Sequence, residues 1–287
     1  MAGFRIDVRR ISVITAVTAP NAEAYALAVN PFTLTLVLFG GLFAALIAAL
    51  EIGRRAGRIA FATTDAGARP AGLSTVEAVA FGLLGLLMAF TFSGAAARLD
   101  TRRMQIVDEA NAIGTAWLRL DMLPPAAQPK LRDAFRRYTD SRIALYRTFS
   151  QAGRDAARTE YARSAALETE IWAAAIEAGR EVPSAPVIVL PALNAMFDIA
   201  STRLAATQMH PPIVVYVVLA AISLVCGFLV GYEMGATEAP SRAHMLVLAG
   251  LLSFTFYVIL DFEYPRLGLI RIDDFDRLIA EVRATMG

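Results

Sequence analysis

The sequence predicts an all-α, multi-pass membrane protein with four transmembrane helices and a helical soluble domain between the second and third spans. The composition is 56% hydrophobic, with a mean hydropathy of +0.51, which is more apolar than ordinary soluble proteins. The apolar residues form long runs without charge, whereas the charged residues gather between the second and third runs. That central region is rich in Ala, Leu, Arg and Glu and lacks β-branched alternation, which is typical of helices.

Four apolar runs account for the predicted spans. The first three are 31–50, 78–97 and 213–232, each long enough to cross a bilayer as a helix. The fourth, 245–260, is shorter and ends at Asp261. We count it as a span because the third run needs a return crossing.

These runs divide the chain into five segments, in which proline marks the breaks. The segments are an N-terminal segment (1–30), transmembrane helices 1 and 2 (31–97), a helical domain continuous with helix 2 (98–210), transmembrane helices 3 and 4 (211–264) and a tail (265–287). Inside the helical domain we expect breaks at Pro124-Pro125 and, more softly, at Gly153. We also expect a proline-rich linker over 182–191 and a helix over 192–209.

Arginine placement predicts the orientation in the inner membrane. Arginines near span ends favour the cytoplasmic side. If both termini and the 98–210 domain are cytoplasmic, that side holds Arg5, Arg9, Arg10, Arg98, Arg102, Arg103, Arg203, Arg266, Arg271, Arg277 and Arg283. The opposite loops hold Arg54, Arg55, Arg58, Arg69 and Arg242. The short apolar stretch 11–17 leaves open whether the N-terminal segment is a leader peptide or a surface helix.

Several classes of function are disfavoured. A net charge of +1 argues against nucleic-acid binding. Cys226 is the single cysteine, and neither His210 nor His244 has a second ligand at metal-like spacing. Since no catalytic motif stands out, we expect no enzyme activity, no metal and no cofactor.

The second span carries the main candidate residues. Its helical pattern runs unbroken to Pro124, so a helix over 74–122 would be about 70 Å long. One face is small, with Gly82, Gly85, Ala89, Ser93 and Ala97; a second is bulky, with Phe81, Leu84, Met88 and Phe92. Both faces are explained most simply by helix packing, and the bulky face alternatively by apolar rings that gate a pore. Ser74 and Glu77 favour a capping box, with an acidic ring at a pore mouth as the alternative.

Charged residues follow the second span and also lie at the end of the fourth span. Arg98, Arg102, Asp108, Glu109 and Asn111 place both signs of charge along one helix, and simple solvation explains them equally well. Asp261 and Glu263 end the fourth span and need arginine partners, for which Arg266 or Arg271 is the local choice.

Four strings resemble the bacterial bestrophin-like membrane proteins. They are RLDTRR at 98–103, EANAIGTAWLRLD at 109–121, NAMFD at 194–198 with Arg203, and LDFEYPRLGLIRI at 260–272. The resemblance covers about 31–283. It implies a structural or coupling role for Glu109, Asn111, Asp198, Arg203, Asp261 and Arg266.

The resemblance to bestrophins implies a pentameric anion channel whose second helix lines the pore. The pore-lining candidates are then Phe81, Gly85, Met88 and Phe92, and Arg98, Arg102 and Arg103 would attract anions at the cytoplasmic exit. The acidic calcium-binding cluster of the animal channels has no convincing match, so calcium gating is not implied. The partners expected are the lipid bilayer, further copies of the chain and inorganic anions.

Two functional hypotheses remain open at the level of sequence. The first is an oligomeric ion channel, conducting chloride or another anion. The alternative is a non-conducting membrane scaffold or signalling component whose helical domain binds a cytoplasmic partner. A cation channel is a further option, because Asp108 and Glu109 lie on the same helix as the arginines.

Overall fold

A computed structural model describes residues 31–62, 72–151, 154–236, 242–266 and 268–287. Within these ranges the regular structure is entirely helical, as the composition predicts. The helices are α1 Pro31–Ala62, α2 Leu73–Arg119, α3 Gln128–Gln151, α4 Arg154–Gly179, α5 Ala185–Ala206, α6 Ile213–Met234, α7 Arg242–Glu263 and α8 Asp273–Ala284. The predictions for the N-terminal segment 1–30 and for Gly153 lie outside the described residues.

Helix α2 is the continuous helix that the sequence predicts. It has 47 residues, hence a length of about 70 Å, and a 3-10 turn over Leu120–Met122 ends it before Pro124. Its buried residues recur every three to seven positions along one face: Leu84, Met88, Ala95, Leu99, Arg102, Ile106, Glu109 and Ile113. A single face of α2 therefore packs in both the apolar half and the charged half.

The capping-box prediction at the start of α2 is wrong. The helix begins at Leu73, directly after Gly72, whose φ of 91° is left-handed. Ser74 therefore lies inside the first turn, and no side chain caps the helix. The Glu77 side chain instead lies close to that of Glu233 at the end of α6.

Five described helices are long and apolar enough to cross a membrane by length and composition. Four of them, α1, α2, α6 and α7, contain the predicted spans. The fifth is α5, where we expected a linker over 182–191; that prediction is wrong from Ala185 onward. Pro186 stands in the first turn, where its missing N–H costs nothing, and Pro191 is held inside the helix by buried Val189 and Leu193 on either side.

The helices that contain the predicted spans pack around α6 and α7. Helix α1 lies along α6 and α7, and α2 contacts the same two helices from another side. The α1–α6 contact is the closest, because glycine brings the two backbones together. A Cβ at Gly231 would lie 2.0 Å from the Leu50 carbonyl oxygen, and one at Gly53 would lie 2.1 Å from that of Phe228.

The charged half of α2 lies in the centre of a helical block, which it forms together with α3, α4, α5 and α8. Helices α5, α8 and α3 contact α2, and α4 packs against α3 and α5. The core of this block includes Ile113, Phe135, Tyr138, Ile171, Leu193 and Ile279. Ile279 belongs to α8, so the helix that follows the last span returns to the block.

Candidate pore helix and buried charge clusters

The membrane half of α2 has one packed face and one open face. On the packed face, Leu84 and Met88 contact α6 through Leu219 and Cys226. The open face includes Leu86 and Phe90, which are 54% and 68% exposed. A Cβ added to Gly82 or Gly85 would have no described atom within 4 Å. The open face of α2 is thus apolar and uncovered by the described part of one subunit.

The four pore-lining candidates are divided between the packed face and the open face of α2. Phe81 and Met88 pack within the subunit against α6. Gly85 is exposed, and Phe92 is partly exposed with its ring 5.2 Å from that of Phe262. The bulky stripe is therefore largely turned inward, whereas much of the small stripe is open.

A buried carboxylate anchors α2 where the last span ends. The Glu263 side chain is fully buried, and Arg98 donates to its Oε1 at 2.6 Å. His210, which stacks on Tyr264, places its Nδ1 3.3 Å from Glu263 Oε2. This cluster joins α2, α7 and the α5–α6 connection at one level.

The three predicted anion-attracting arginines all have partners. Arg98 pairs with Glu263, as above. Arg102 is buried and donates to the carbonyl oxygens of Ala206, Met209 and Glu263. Arg103 pairs with Asp100 at 3.3 Å and keeps a third of its side chain exposed. Arg98 and Arg103 remain accessible at the surface, whereas Arg102 ties three backbone segments together.

Glu109 is the centre of a second, deeper cluster. Its side chain is fully buried, and Arg142 Nε donates to Oε1 at 2.7 Å. The Tyr146 hydroxyl donates to Oε2 at 2.9 Å, and Arg203 donates to the same oxygen. The Arg203 guanidinium also lies over the Tyr146 ring, at 3.7 Å from its centroid. Glu109 thus joins α2 to α3 and α5.

The cluster continues into the C-terminal region. Arg203 donates to Asp276 Oδ1 at 3.1 Å, and Arg266 donates to Asp276 Oδ2 at 2.8 Å. Asp276 therefore links α5 and the segment after α7 to α8. We expected Arg266 or Arg271 as the local partner of the acidic residues that end α7; Glu263 is bound by Arg98 of α2.

Asp261, the other acidic residue near the end of α7, orders the chain that follows. Its Oδ2 accepts the backbone N–H groups of Leu269 and Ile270 at 3.1 and 2.9 Å. Gly268 lies against the same carboxylate, where any side chain would collide with Oδ1. The Asp261 carboxylate therefore stabilises the backbone turn at Leu269 and Ile270 through these hydrogen bonds.

Burial changes the titration of groups around the Glu109 cluster. Burial raises the pKa of Tyr146, so its hydroxyl stays protonated and can donate to Glu109. Burial alone would lower the pKa of Arg142, but Tyr146 and Glu109 outweigh it and raise that pKa well above its usual value. Burial raises the pKa of Glu168 on α4 to about 7, although Arg142 acts in the opposite direction.

Sequence reasoning selected only part of these clusters. It selected Glu109, Arg203 and Arg266, which the structure brings into one network. It also selected Asn111 and Asp198, which are exposed; Asp198 bonds Asn194 on its own helix.

Three members of the network were missed: Arg142, Tyr146 and Asp276. A signal for Arg142 was present, because it follows Phe135 and Tyr138 at helical spacing on the apolar face of α3. An arginine on such a face predicts a buried carboxylate partner.

Among the described residues, no group of three or more acidic, histidine or cysteine side chains is placed to hold a metal ion. Several long apolar helices joined to a helical block define the chain as a multi-pass helical membrane protein. The family model of the bestrophin-like domain matches residues 60–274, which is most of the chain. The protein belongs to the bestrophin-like family, as the strings at 98–121 and 260–272 predict. No curated protein and no solved structure matches it.

Proposed function

We propose that the protein is an oligomeric ion channel, conducting chloride or a similar anion, in which α2 lines the pore. The observation that carries the proposal is the open, apolar face of α2 in the membrane, continuous with a charged helix beyond it. A face left open by the described part of one subunit is suited to a shared axis, where identical helices from several subunits meet. Family membership supports the same assignment.

The proposal gives each candidate residue a role. Gly85 and Phe92 belong to the pore wall, together with Ser93 on the open face. Phe81 and Met88 support α2 from behind through α6. Arg98 and Arg103, whose guanidinium groups stay partly exposed, attract anions near the exit of the pore.

The proposed assembly is a pentamer in the inner membrane, with the helical block and both termini in the cytoplasm. The pentamer follows the resemblance to bestrophins, and the orientation follows the excess of arginines on the block side. Glu109 and Glu263 have a coupling role, because each ties α2 to helices that move with the block or with the last span.

Chloride flux from liposomes tests conduction. Purified protein reconstituted in liposomes is expected to release chloride along a gradient, and reversal potentials in asymmetric potassium chloride should report an anion. A well-folded oligomer that passes no ion would contradict the channel and favour the scaffold. A cation-selective reversal potential would overturn the anion assignment alone.

Cysteine modification tests which face of α2 lines the pore. In a Cys226→Ser background, Ser93→Cys places a thiol on the open face, and a charged thiol reagent is expected to reduce the flux. Leu84→Cys is the matched control, because Leu84 is 2% exposed and faces α6. Equal inhibition at both positions would refute the assignment of the pore face.

A further inference from the structure

A cavity of about 520 Å³ lies between α1 and α7, at the membrane boundary opposite the helical block. It is lined by Ile47, Glu51, Arg54, Arg55, Arg242, Met245 and Leu246. Glu51 directly follows the charge-free run 31–50, and Arg242 begins α7. The cavity therefore sits where the apolar layer meets water.

The charge of the cavity is positive. Its lining has three guanidinium groups and a single carboxylate. Arg54 binds Glu51 through Nε and Nη2 at 2.8 and 2.6 Å, and Arg55 Nε donates to Glu51 at 2.9 Å. Glu51 thus fixes two arginines beside each other, and an arginine has five N–H donors. Donors remain for a phosphate, which guanidinium groups bind in a forked geometry.

The first turn of α7 adds to the positive charge of the cavity. Arg242 and Met245 belong to its first four residues, whose backbone N–H groups have no partner within the helix, and Leu246 follows them. The helix dipole places partial positive charge at the same point.

The other wall of the cavity is apolar. Ile47, Met245 and Leu246 line it, and Leu246 is 53% exposed toward the outside. Exposed apolar residues continue from there along α7 toward the bilayer centre through Leu251 and Phe254. An arginine-lined cavity next to exposed apolar side chains fits a molecule with an anionic head and hydrocarbon chains.

The cavity is separate from the open face of α2. Its described lining comes from α1 and α7, and these helices meet on the flank where α1 packs against α6 and α7. A ligand there would enter from the surrounding lipid, whether or not α2 lines a pore.

We propose that this cavity binds the phosphate headgroup of an anionic phospholipid, with Arg55 and Arg242 on the phosphate and the acyl chains along α7. The lipid would clamp α1 to α7 at this boundary. The proposal does not depend on ion conduction.

Lipid-dependent thermal stability of the full-length protein tests this site. Delipidated protein in neutral detergent is titrated with phosphatidylglycerol, phosphatidylcholine or inorganic phosphate, and the midpoint of unfolding is measured. We expect phosphatidylglycerol alone to raise the midpoint. In Arg55→Gln/Arg242→Gln the apparent affinity should fall by roughly tenfold or more, as expected for lost charged hydrogen bonds.

The double variant keeps Arg54 and its bond to Glu51 but loses the bond between Arg55 and Glu51, so its response to each lipid is measured against its own midpoint without lipid. Arg180→Gln, at an exposed position directly after α4, is the matched control and should keep the full response to phosphatidylglycerol. Equal stabilisation by phosphatidylcholine, or an unchanged response in the double variant, would overturn the proposal. Stabilisation by inorganic phosphate without lipid would overturn the lipid assignment and leave a soluble phosphate as the ligand.

Discussion

Glu109 places a charge in the core of the helical block, where desolvation is costly unless partners offset it. Arg142, Arg203 and Tyr146 supply those partners at bonding distance. Removing one member of a buried ion pair leaves the other uncompensated, which costs about 3–5 kcal/mol. The cluster is therefore a point at which one substitution loosens α2, α3 and α5 together.

We expect Glu109→Gln to lower the unfolding free energy by about 3 kcal/mol or more, because two buried arginines lose their counter-charge. Thermal unfolding of the purified protein measures the change. Asp108→Asn is the matched control, since Asp108 is the more exposed neighbour on the same helix and should change stability little. Similar losses in both variants would mean that Glu109 has no special role.

Glu168 makes stability depend on pH. Burial raises its pKa from 4.5 to about 7 in the folded protein, so the folded state binds the proton more tightly than the unfolded state. The unfolding free energy should therefore fall as pH rises from about 4.5 to 7 and then level off. The contribution is at most about 3 kcal/mol.

Glu168→Gln removes this titration, so the variant should unfold at a higher temperature than the unmodified protein near pH 8. Near pH 4.5 the two should differ little. Unfolding midpoints across this range measure the effect. Glu177→Gln, at an exposed position on the same helix, should retain the pH dependence of the unmodified protein, and its loss there would count against Glu168 as the source.

At the scale of elements, α1 and α6 approach so closely that only glycine fits between them. A Cβ at Gly231 would lie 2.0 Å from the Leu50 carbonyl oxygen, and backbone atoms cannot move aside as a flexible side chain can. Small residues permit this type of helix contact in membranes.

We expect Gly231→Ala to separate α1 from α6 and to reduce the yield of monodisperse protein, measured by size-exclusion chromatography and by unfolding temperature. Gly82→Ala is the matched control, because no described atom of the subunit lies within 4 Å of its Cβ position. If Gly231→Ala behaves like Gly82→Ala, the close α1–α6 packing is wrong.

The sequence predicted some elements well, for reasons that are visible in the residues. The α2 helix runs to its first strong breaker, because Pro124 is the first residue that its backbone cannot accommodate. The linker over 182–191 was wrong because local proline signals were overridden by packing, with Val189 and Leu193 buried on either side of Pro191. The small face of α2 predicted close packing, whereas the closest glycine contacts lie between α1 and α6.

At the scale of the whole molecule, apolar residues remain exposed on the helical block. Leu118 at the end of α2 and Val187 at the start of α5 are 67% and 76% exposed, and Arg119 joins the two regions by donating to the Ile188 carbonyl oxygen. In the proposed oligomer, this surface would be part of a contact between subunits.

If that contact forms, Val187→Asp is expected to shift the protein from the proposed oligomer to smaller species, because it places a charge in the contact. Native mass spectrometry gives the number of 30.9 kDa subunits, and the resemblance to bestrophins predicts five. Val187→Leu is the control and should preserve the oligomer. An unchanged mass for Val187→Asp would remove this surface from the subunit contact.

The sequence predicted the all-helical membrane fold and the family but not the network around Glu109. Its members are spread from Glu109 to Asp276, and their meeting depends on how α3, α5 and α8 fold back on α2. Hydrophobic periodicity records which face of a helix is buried, but it carries no information on which distant face will meet it. Arg142, on the apolar face of α3, predicts a buried acidic partner but does not indicate that this partner is Glu109.

The continuity of α2 fixes the rotational phase between its two halves. Each residue turns an α-helix by about 100°, so one residue inserted between Ala97 and Glu109 would rotate Glu109, with its partners Arg142 and Arg203, by about that angle relative to the membrane half. The membrane half would keep its own orientation toward α6. Because no break interrupts α2 from Leu73 to Arg119, a rotation of its charged half would be expected to carry through to its apolar half.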